Sequence, residues 1–420
     1  MAVAVIAFLL VLAVIASERV HRTKVALLGA AIVVLFAGGS YSQELAIDAI
    51  DFNTIGLLLG MMILVHLTQE TGVYDYIAIR AGQLSRGRPP YVVLALAGTT
   101  ALLSAFLDNL TTILLVVPVT FLLADALDLD PIPLVVIEVI ASNIGGTATL
   151  IGDPPNIIIA GAADLSFNDF ILNLAPAVIL TLAVVMPLLY LIYRRRLQVS
   201  EANREVVMEL DARSAIRDSD ELKRTGTVLA LTILCFFVHQ PLGVEPATVA
   251  LTGAAVALLV TRQGLEESLA KIEWATLFFF VALFVMVGAL EATGAIDEVA
   301  NAVKDVTNGD RTAELLGTTW IAGIGSGVVD NIPFTTAMIP VVDSLNTTDD
   351  DAYWWALSLG ACFGGNMTVI AAAANVAASG LAERAGQPIG FVAFLRIGLP
   401  VTLISLLIAT AYISLRYIAL

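Results

Sequence analysis

Four clusters of polar residues interrupt otherwise apolar sequence, and they hold the residue types that bind ions and small polar solutes. The first is Leu107-Asp108-Asn109-Leu110-Thr111-Thr112, and its counterpart is Val329-Asp330-Asn331-Ile332-Pro333-Phe334-Thr335-Thr336. The third runs Ser142-Asn143-Ile144-Gly145-Gly146-Thr147-Ala148-Thr149-Leu150-Ile151-Gly152-Asp153-Pro154-Pro155-Asn156. The fourth is Gly364-Gly365-Asn366-Met367-Thr368-Val369-Ile370-Ala371-Ala372-Ala373-Ala374-Asn375. Asp, Asn and Thr offer anionic and neutral oxygens. A carboxylate in hydrocarbon costs at least ~2.5–3.5 kcal/mol, so it is kept for function or paired. Asp108, Asp153 and Asp330 have no intramembrane Lys or Arg partner in the sequence. Each is therefore expected to bind a cation, bind a proton or face water. Glu138, placed on a wet face of its span, and Glu291, near a span end, are weaker candidates.

The backbone of these clusters carries a second signal. About 18 residues precede each Asp-Asn pair, enough at ~1.5 Å per residue to reach well into a bilayer as a helix. A chain that goes in, turns on Asp-Asn and comes back is a helical hairpin. Asp and Asn accept the turn geometry and cap the returning helix. In the third and fourth clusters Gly-Gly, and in the third also Pro-Pro, cannot continue a regular helix comfortably. Irregular backbone at membrane depth survives where it is buried or lines a cavity. An unwound span frees carbonyls and half-helix ends, which bind ions and polar solutes.

The elements that position these clusters follow from composition. Hydrophobic residues make up 58% of 420 and charged residues 14%, with a mean hydropathy of +0.90. Lipid must be the solvent for so much apolar surface. Ten spanning segments are expected near 1–16, 25–38, 52–69, 131–163, 170–193, 225–240, 246–261, 273–291, 353–381 and 391–415. The stretches 90–123 and 312–342 are the two re-entrant hairpins. With the N-terminus outside, 18 of the 21 Lys and Arg residues fall in cytoplasmic loops, as the positive-inside rule requires. Among them are Arg19, Arg22 and Lys24, and the largest group lies in the central loop. The outside loops are acidic, including Asp349-Asp350-Asp351. A net charge of −16 argues against nucleic acid as a partner and is compatible with a high-salt habitat. Cys235 and Cys362 read as small buried hydrophobes, too few for a disulfide framework or a thiolate metal site. His21, His66 and His239 form no cluster.

The chain repeats itself with an offset near 222: Asp51-Phe52 matches Glu273-Trp274, Thr71-Gly72 matches Thr293-Gly294, and Asp108-Asn109 matches Asp330-Asn331. After a small drift, Gly145-Gly146 matches Gly364-Gly365 and Asn156 matches Asn375. The fold expected is an all-α polytopic membrane protein. Its first repeat covers 1–193, its cytoplasmic linker 194–224 and its second repeat 225–420, with unwound spans at 143–156 and 364–375. Five spans per repeat is odd, so the second repeat is expected to sit inverted. Inverted repeats meeting at the midplane are a common plan for secondary transporters.

These motifs closely resemble the arsenite permease, sodium/proton antiporter and pink-eyed-dilution (P) protein branch of the ion transporter superfamily. The resemblance covers nearly the whole chain. It implies a homodimer in the plasma membrane, surrounded by lipid, with a scaffold domain and an elevator-like transport domain. It implies that the tips and unwound loops cradle coupling ion and substrate: Asp108, Asn109, Thr111, Thr112, Asn143, Gly145, Gly146, Thr147, Thr149, Asp153, Asn156, Asp330, Asn331, Thr335, Gly364, Gly365, Asn366, Thr368 and Asn375. Sodium would be held at Asp108, Asn109, Asp330 and Asn331, or a proton would take its place; no other cofactor is implied. The dicarboxylate carriers of the superfamily have Ser-Asn-Thr at the tips. Carboxylates there argue against a dianion and for a cation, a proton or a neutral weak acid such as arsenous acid. The second loop departs from the family pattern, with Met367, Ala371 and Ala373 where Gly, Gly and Ser are usual. The expected function is ion-coupled secondary transport of arsenite or a similar small inorganic solute, with sodium/proton antiport, carboxylate transport and an anion channel as alternatives. An intramembrane aspartyl protease is disfavoured, because neither Asp330 nor Asp153 follows a Gly-x-Gly.

Overall fold

The computed structural model describes residues 1–17, 19–38, 41–346 and 351–419, and the architecture is all-helical. Asp349 and Asp350 of the acidic stretch lie outside the described residues. Among the described residues, six helices are long and apolar enough to cross a membrane: Phe52–Gln69, Pro89–Phe106, Asn109–Leu127, Phe167–Tyr193, Trp274–Ala292 and Phe391–Ile418. Ala2–Ala16, Ile132–Gly146 and Pro246–Val260 are shorter apolar helices. Leu28, Leu35, Leu180, Leu259 and Leu407 stand exposed on their outer faces, where lipid replaces a protein core.

The order of elements is the same in both halves. Ala2–Ala16, Arg22–Phe36, Gln43–Asp48, Phe52–Gln69 and Val73–Leu84 lead to a helical pair, Pro89–Phe106 and Asn109–Leu127. A broken helix follows, Ile132–Gly146 and Pro154–Ala163, and then Phe167–Tyr193. In the second half Ser219–Phe236, Pro246–Val260, Leu265–Ala270, Trp274–Ala292 and Ala295–Thr307 lead to Arg311–Val328 and Asn331–Leu345. Ala352–Gly364, Ala373–Arg384 and Phe391–Ile413 complete it. Even the turns correspond: Gly72 and Gly294 start equivalent helices at φ +81° and +76°, a conformation that a side chain would strain.

Packing is reciprocal between the halves. Arg22–Phe36 lies on Trp274–Ala292, and Phe52–Gln69 lies on Pro246–Val260. Each element of one pair is the counterpart of an element in the other. The same exchange relates Asn109–Leu127 on Ala373–Arg384 to Asn331–Leu345 on Pro154–Ala163. Within each half the first hairpin helix packs on the first arm of the broken helix. The backbones touch there, since a Cβ on Gly145 would meet the backbone of Ala101, and one on Gly364 would meet the backbone of Gly323.

The central segment is partly helical, with Glu201–Glu209 and a short turn at Ala212–Ala215. It binds the first half directly: Gln83 Nε2 donates to Leu210 O at 2.6 Å, and Arg217 N donates to Thr71 O at 3.0 Å. Two expectations are corrected here. Cys235 is exposed on its helix rather than buried, as a lipid-facing position allows. Glu138 lies on no wet face: it is fully buried between helices, with Oε1 accepting from Thr120 Oγ1 at 2.5 Å.

Candidate functional site

Each Asp of the two tips folds its own hairpin. Leu107 and Asp108 break the first helical pair, and Val329 and Asp330 break the second. Asp108 caps the returning helix, its Oδ1 accepting from Thr111 N at 2.8 Å and its Oδ2 from Thr111 Oγ1 at 2.5 Å. Asp330 caps Asn331–Leu345 through Ile332 N at 3.0 Å. Its other oxygen is bound by Arg22 Nη1 at 2.8 Å. This corrects the expectation that Asp330 lacks a basic partner. Arg22 is distant in sequence and sits at the start of a helix, so no local spacing betrays the pair.

The asparagine beside each tip Asp reaches further inward. Asn109 Nδ2 donates to Asp153 Oδ1 at 3.0 Å and to Asn143 Oδ1 at 3.2 Å. Asn331 Nδ2 donates to the same Asp153 oxygen at 3.3 Å. Asn143 Nδ2 in turn donates to Asn375 Oδ1 at 2.9 Å and Asn366 Oδ1 at 3.1 Å. Asp153 is fully buried, and its Oδ2 has no nitrogen or oxygen partner among the described residues. Asn366 Nδ2 and Thr112 Oγ1 are likewise buried without a partner. Unpartnered polar atoms at a dry centre are costly and call for a ligand, water or proton.

The helix breaks are pinned by two equivalent asparagines. Helix persists through Gly146 and resumes at Pro154; in the second half it ends at Gly364 and resumes at Ala373. Asn156 Nδ2 donates to Thr149 O at 2.8 Å and Thr147 O at 3.1 Å. Asn375 Nδ2 donates to Thr368 O and Gly365 O, both at 2.7 Å. These bonds satisfy the carbonyls that unwinding frees.

Hydroxyls tie each break to its hairpin. Thr149 Oγ1 donates to Ala105 O, and Thr368 Oγ1 donates to Gly327 O at 2.9 Å. Ser104 Oγ donates to Ser142 O at 2.8 Å, and its counterpart Ser326 Oγ to Ala361 O at 2.6 Å.

The structure therefore brings Asn109, Asn143, Asp153, Asn331, Asn366 and Asn375 into one buried network. Asp108 and Asp330 stand at its edge as caps. Thr111 completes the first cap, while Thr147 and Thr335 hydroxyls bond within their own helices. Gly145 and Gly364 serve backbone approach, beside Gly146 and Gly365 at the breaks.

A small cleft beside the tips has room for about 20 Å³, one water or a bare monovalent cation. Arg22, Asp108, Asn109, Glu273, Thr276 and Asn331 line it.

Sequence reasoning missed Arg22, Glu273 and the serines. Glu273 and Ser326 could have been found through the repeat, as partners of Asp51 and Ser104. Cys362 proves more than filler: its thiol is 3.6 Å from Asn156 Oδ1, which also accepts from Ser358 Oγ at 2.6 Å.

Helical hairpins and broken helices closing on a buried amide–carboxylate network define a multi-pass membrane transporter, not an enzyme. Residues 12–360 match the family described as CitMHS, citrate transporter. The chain belongs to this family, within the ion transporter superfamily. It is 45% identical over 432 residues to an uncharacterized transporter of Mycobacterium tuberculosis (strain CDC 1551 / Oshkosh), covering 99% of this chain and 98% of the relative. It is 41% identical over 428 residues to a "46 kDa membrane protein" of Mycobacterium leprae (strain TN), covering 100% and 99%. The P protein of Homo sapiens is 35% identical over 497 residues, covering 97% of this chain and 59% of that protein. Among solved structures, the YdaH transporter of Alcanivorax borkumensis superposes with a TM-score of 0.58 at 18% identity, over 88% of this chain and 86% of that one. At that identity the likeness is one of fold.

Proposed function

We propose that this protein is an ion-coupled secondary active transporter that works in an elevator-like manner. Its cargo is arsenite or a comparable small inorganic solute, moved with proton or sodium coupling. The observation that carries the reading is the buried network around Asp153, where, among the described residues, one carboxylate oxygen has no nitrogen or oxygen partner and Asn366 Nδ2 has no acceptor. Amide oxygens and hydrogens suit a small hydroxylic acid, and the carboxylates suit a cation or proton. The hairpins and broken helices form the moving body. The reciprocal helix pairs Arg22–Phe36 with Trp274–Ala292 and Phe52–Gln69 with Pro246–Val260 form the scaffold. The halves are related as inverted repeats, the N-terminus lies outside, the central segment is cytoplasmic, and two copies associate in the plasma membrane.

Sodium/proton antiport is the second reading, favoured by Asp108 and Glu273 lining one cleft small enough for a bare cation. The family description names citrate. A free citrate anion would be repelled by these carboxylates, so it would enter only with a cation that screens its charge. Purified protein in liposomes loaded with a pH-sensitive dye separates these readings when sodium, lithium, arsenite, citrate and citrate with a divalent cation are added in turn. Arsenite-dependent proton flux supports the first. Flux on sodium or lithium alone supports the second. A response only to citrate with a divalent cation overturns both.

A further inference from the structure

Asp330 is shared between its own helix and a distant one. Oδ1 accepts from Ile332 N at 3.0 Å, and Oδ2 accepts from Arg22 Nη1 at 2.8 Å. The Arg22 guanidinium also lies over the Phe279 ring, 5.0 Å from its centroid. The two side chains are 21% and 8% exposed, so the pair is largely dry. The sequence explains why this tip is open to an arginine. At the first tip Thr111 gives Asp108 both an N–H and a hydroxyl. The equivalent position in the second tip is Pro333, which has neither. One oxygen of Asp330 is left for an outside donor. Arg22 belongs to the helix Arg22–Phe36, anchored on Trp274–Ala292 through Thr23 Oγ1 to Ala275 O at 2.8 Å.

We propose that Arg22 is a built-in competitor for the coupling cation: the guanidinium and a transported monovalent cation, proton or sodium, take turns on the Asp330 carboxylate. The inference rests on the ion-coupled reading above and names how coupling is enforced at that site. Removing one partner of a dry ion pair leaves an uncompensated charge, which is strongly unfavourable. If the second tip moves away from the helix Arg22–Phe36, the pair must break. A cation then has to replace Arg22 on Asp330. The empty tip stays tied, and the loaded tip is free to move. Asp108 and Glu273 line the cleft with Arg22, and their charges draw a cation toward it.

The test compares wild type, Arg22→Gln, Arg22→Lys and Arg22→Gln/Asp330→Asn in liposomes and in detergent. Radioactive sodium binding is measured at fixed pH, and proton-coupled flux is followed by dye. Arg22→Gln should lower the half-saturating sodium concentration, or raise the proton affinity, by about tenfold, and should let the empty carrier slip. Arg22→Lys should restore the wild-type values, and the double variant should lose the cation response. A misfolded variant would not gain affinity, so the readout separates competition from damage. If wild type is ion-coupled and Arg22→Gln leaves both affinities unchanged, the competition is overturned while the carrier reading stands. If wild type shows no ion-coupled flux, both fall.

Discussion

Arg22 and Asp330 meet at 2.8 Å across the two halves of the chain, while Asp108, the equivalent of Asp330, spends both oxygens on Thr111. Two tips that look alike in sequence are electrically different. The second carries a positive partner from another helix. The first has no basic partner among the described residues and lines the cleft where Glu273 adds a further carboxylate.

Charge at the tips should matter separately from capping. Asn caps a helix about as well as Asp. Asp108→Asn should therefore fold normally, Asp330→Asn should lose some stability because it leaves Arg22 unpaired, and both should lose coupled transport by at least about tenfold, equivalent to ~1.4 kcal/mol. Dye-monitored flux in liposomes, alongside thermal unfolding in detergent, checks both halves of the claim. Wild-type-like coupled uptake in both variants would remove these carboxylates from the site.

Asp153 separates charge from architecture. Its Oδ1 receives both Asn109 and Asn331. Asp153→Asn keeps an acceptor oxygen, so stability should hold while coupled flux falls. Asp153→Ala strands two buried amide donors at about 1–3 kcal/mol each, and its unfolding temperature should drop. Equal stability of the two variants would contradict the network.

Asn156 and Asn375 should behave as twins. Each donates twice to carbonyls of a broken helix. Substitution by Ala should cost about 1–3 kcal/mol per stranded group at both positions, read as lower thermal stability. Ser358→Ala, which removes one donor to Asn156, should have a smaller effect.

The two glycines of the second pair are not equivalent. A Cβ on Gly364 would meet the backbone of Gly323, whereas one on Gly365 has its nearest neighbour, Cys362 O, at 3.1 Å. Gly364→Ala and its counterpart Gly145→Ala should destabilise by about 1–3 kcal/mol or more through overpacking. Gly365→Ala should be milder. Denaturation midpoints in detergent would show the order, and a reversed order would refute the backbone contact.

Much was legible in the sequence because its causes are local. Apolar runs fix which segments can cross lipid. Asp-Asn inside such a run fixes a turn with its own cap. Gly-Gly fixes where a helix stops, and Pro-Pro where the next one starts. The repeat made the second copy of each device predictable, down to Asn156 and Asn375. What the tertiary structure decided concerns partners chosen across long separations. It assigned the asparagines, more than the aspartates, to reach Asp153. It buried Glu138 against Thr120, turned Cys235 outward, and made Gly145 and Gly364 points of backbone approach. It set Arg22 on Asp330, although charge counting places Arg22 in a loop. Periodicity and composition report which solvent a residue prefers. Which oxygen meets which nitrogen depends on how the helices of the two halves pack, and only the folded chain carries that information.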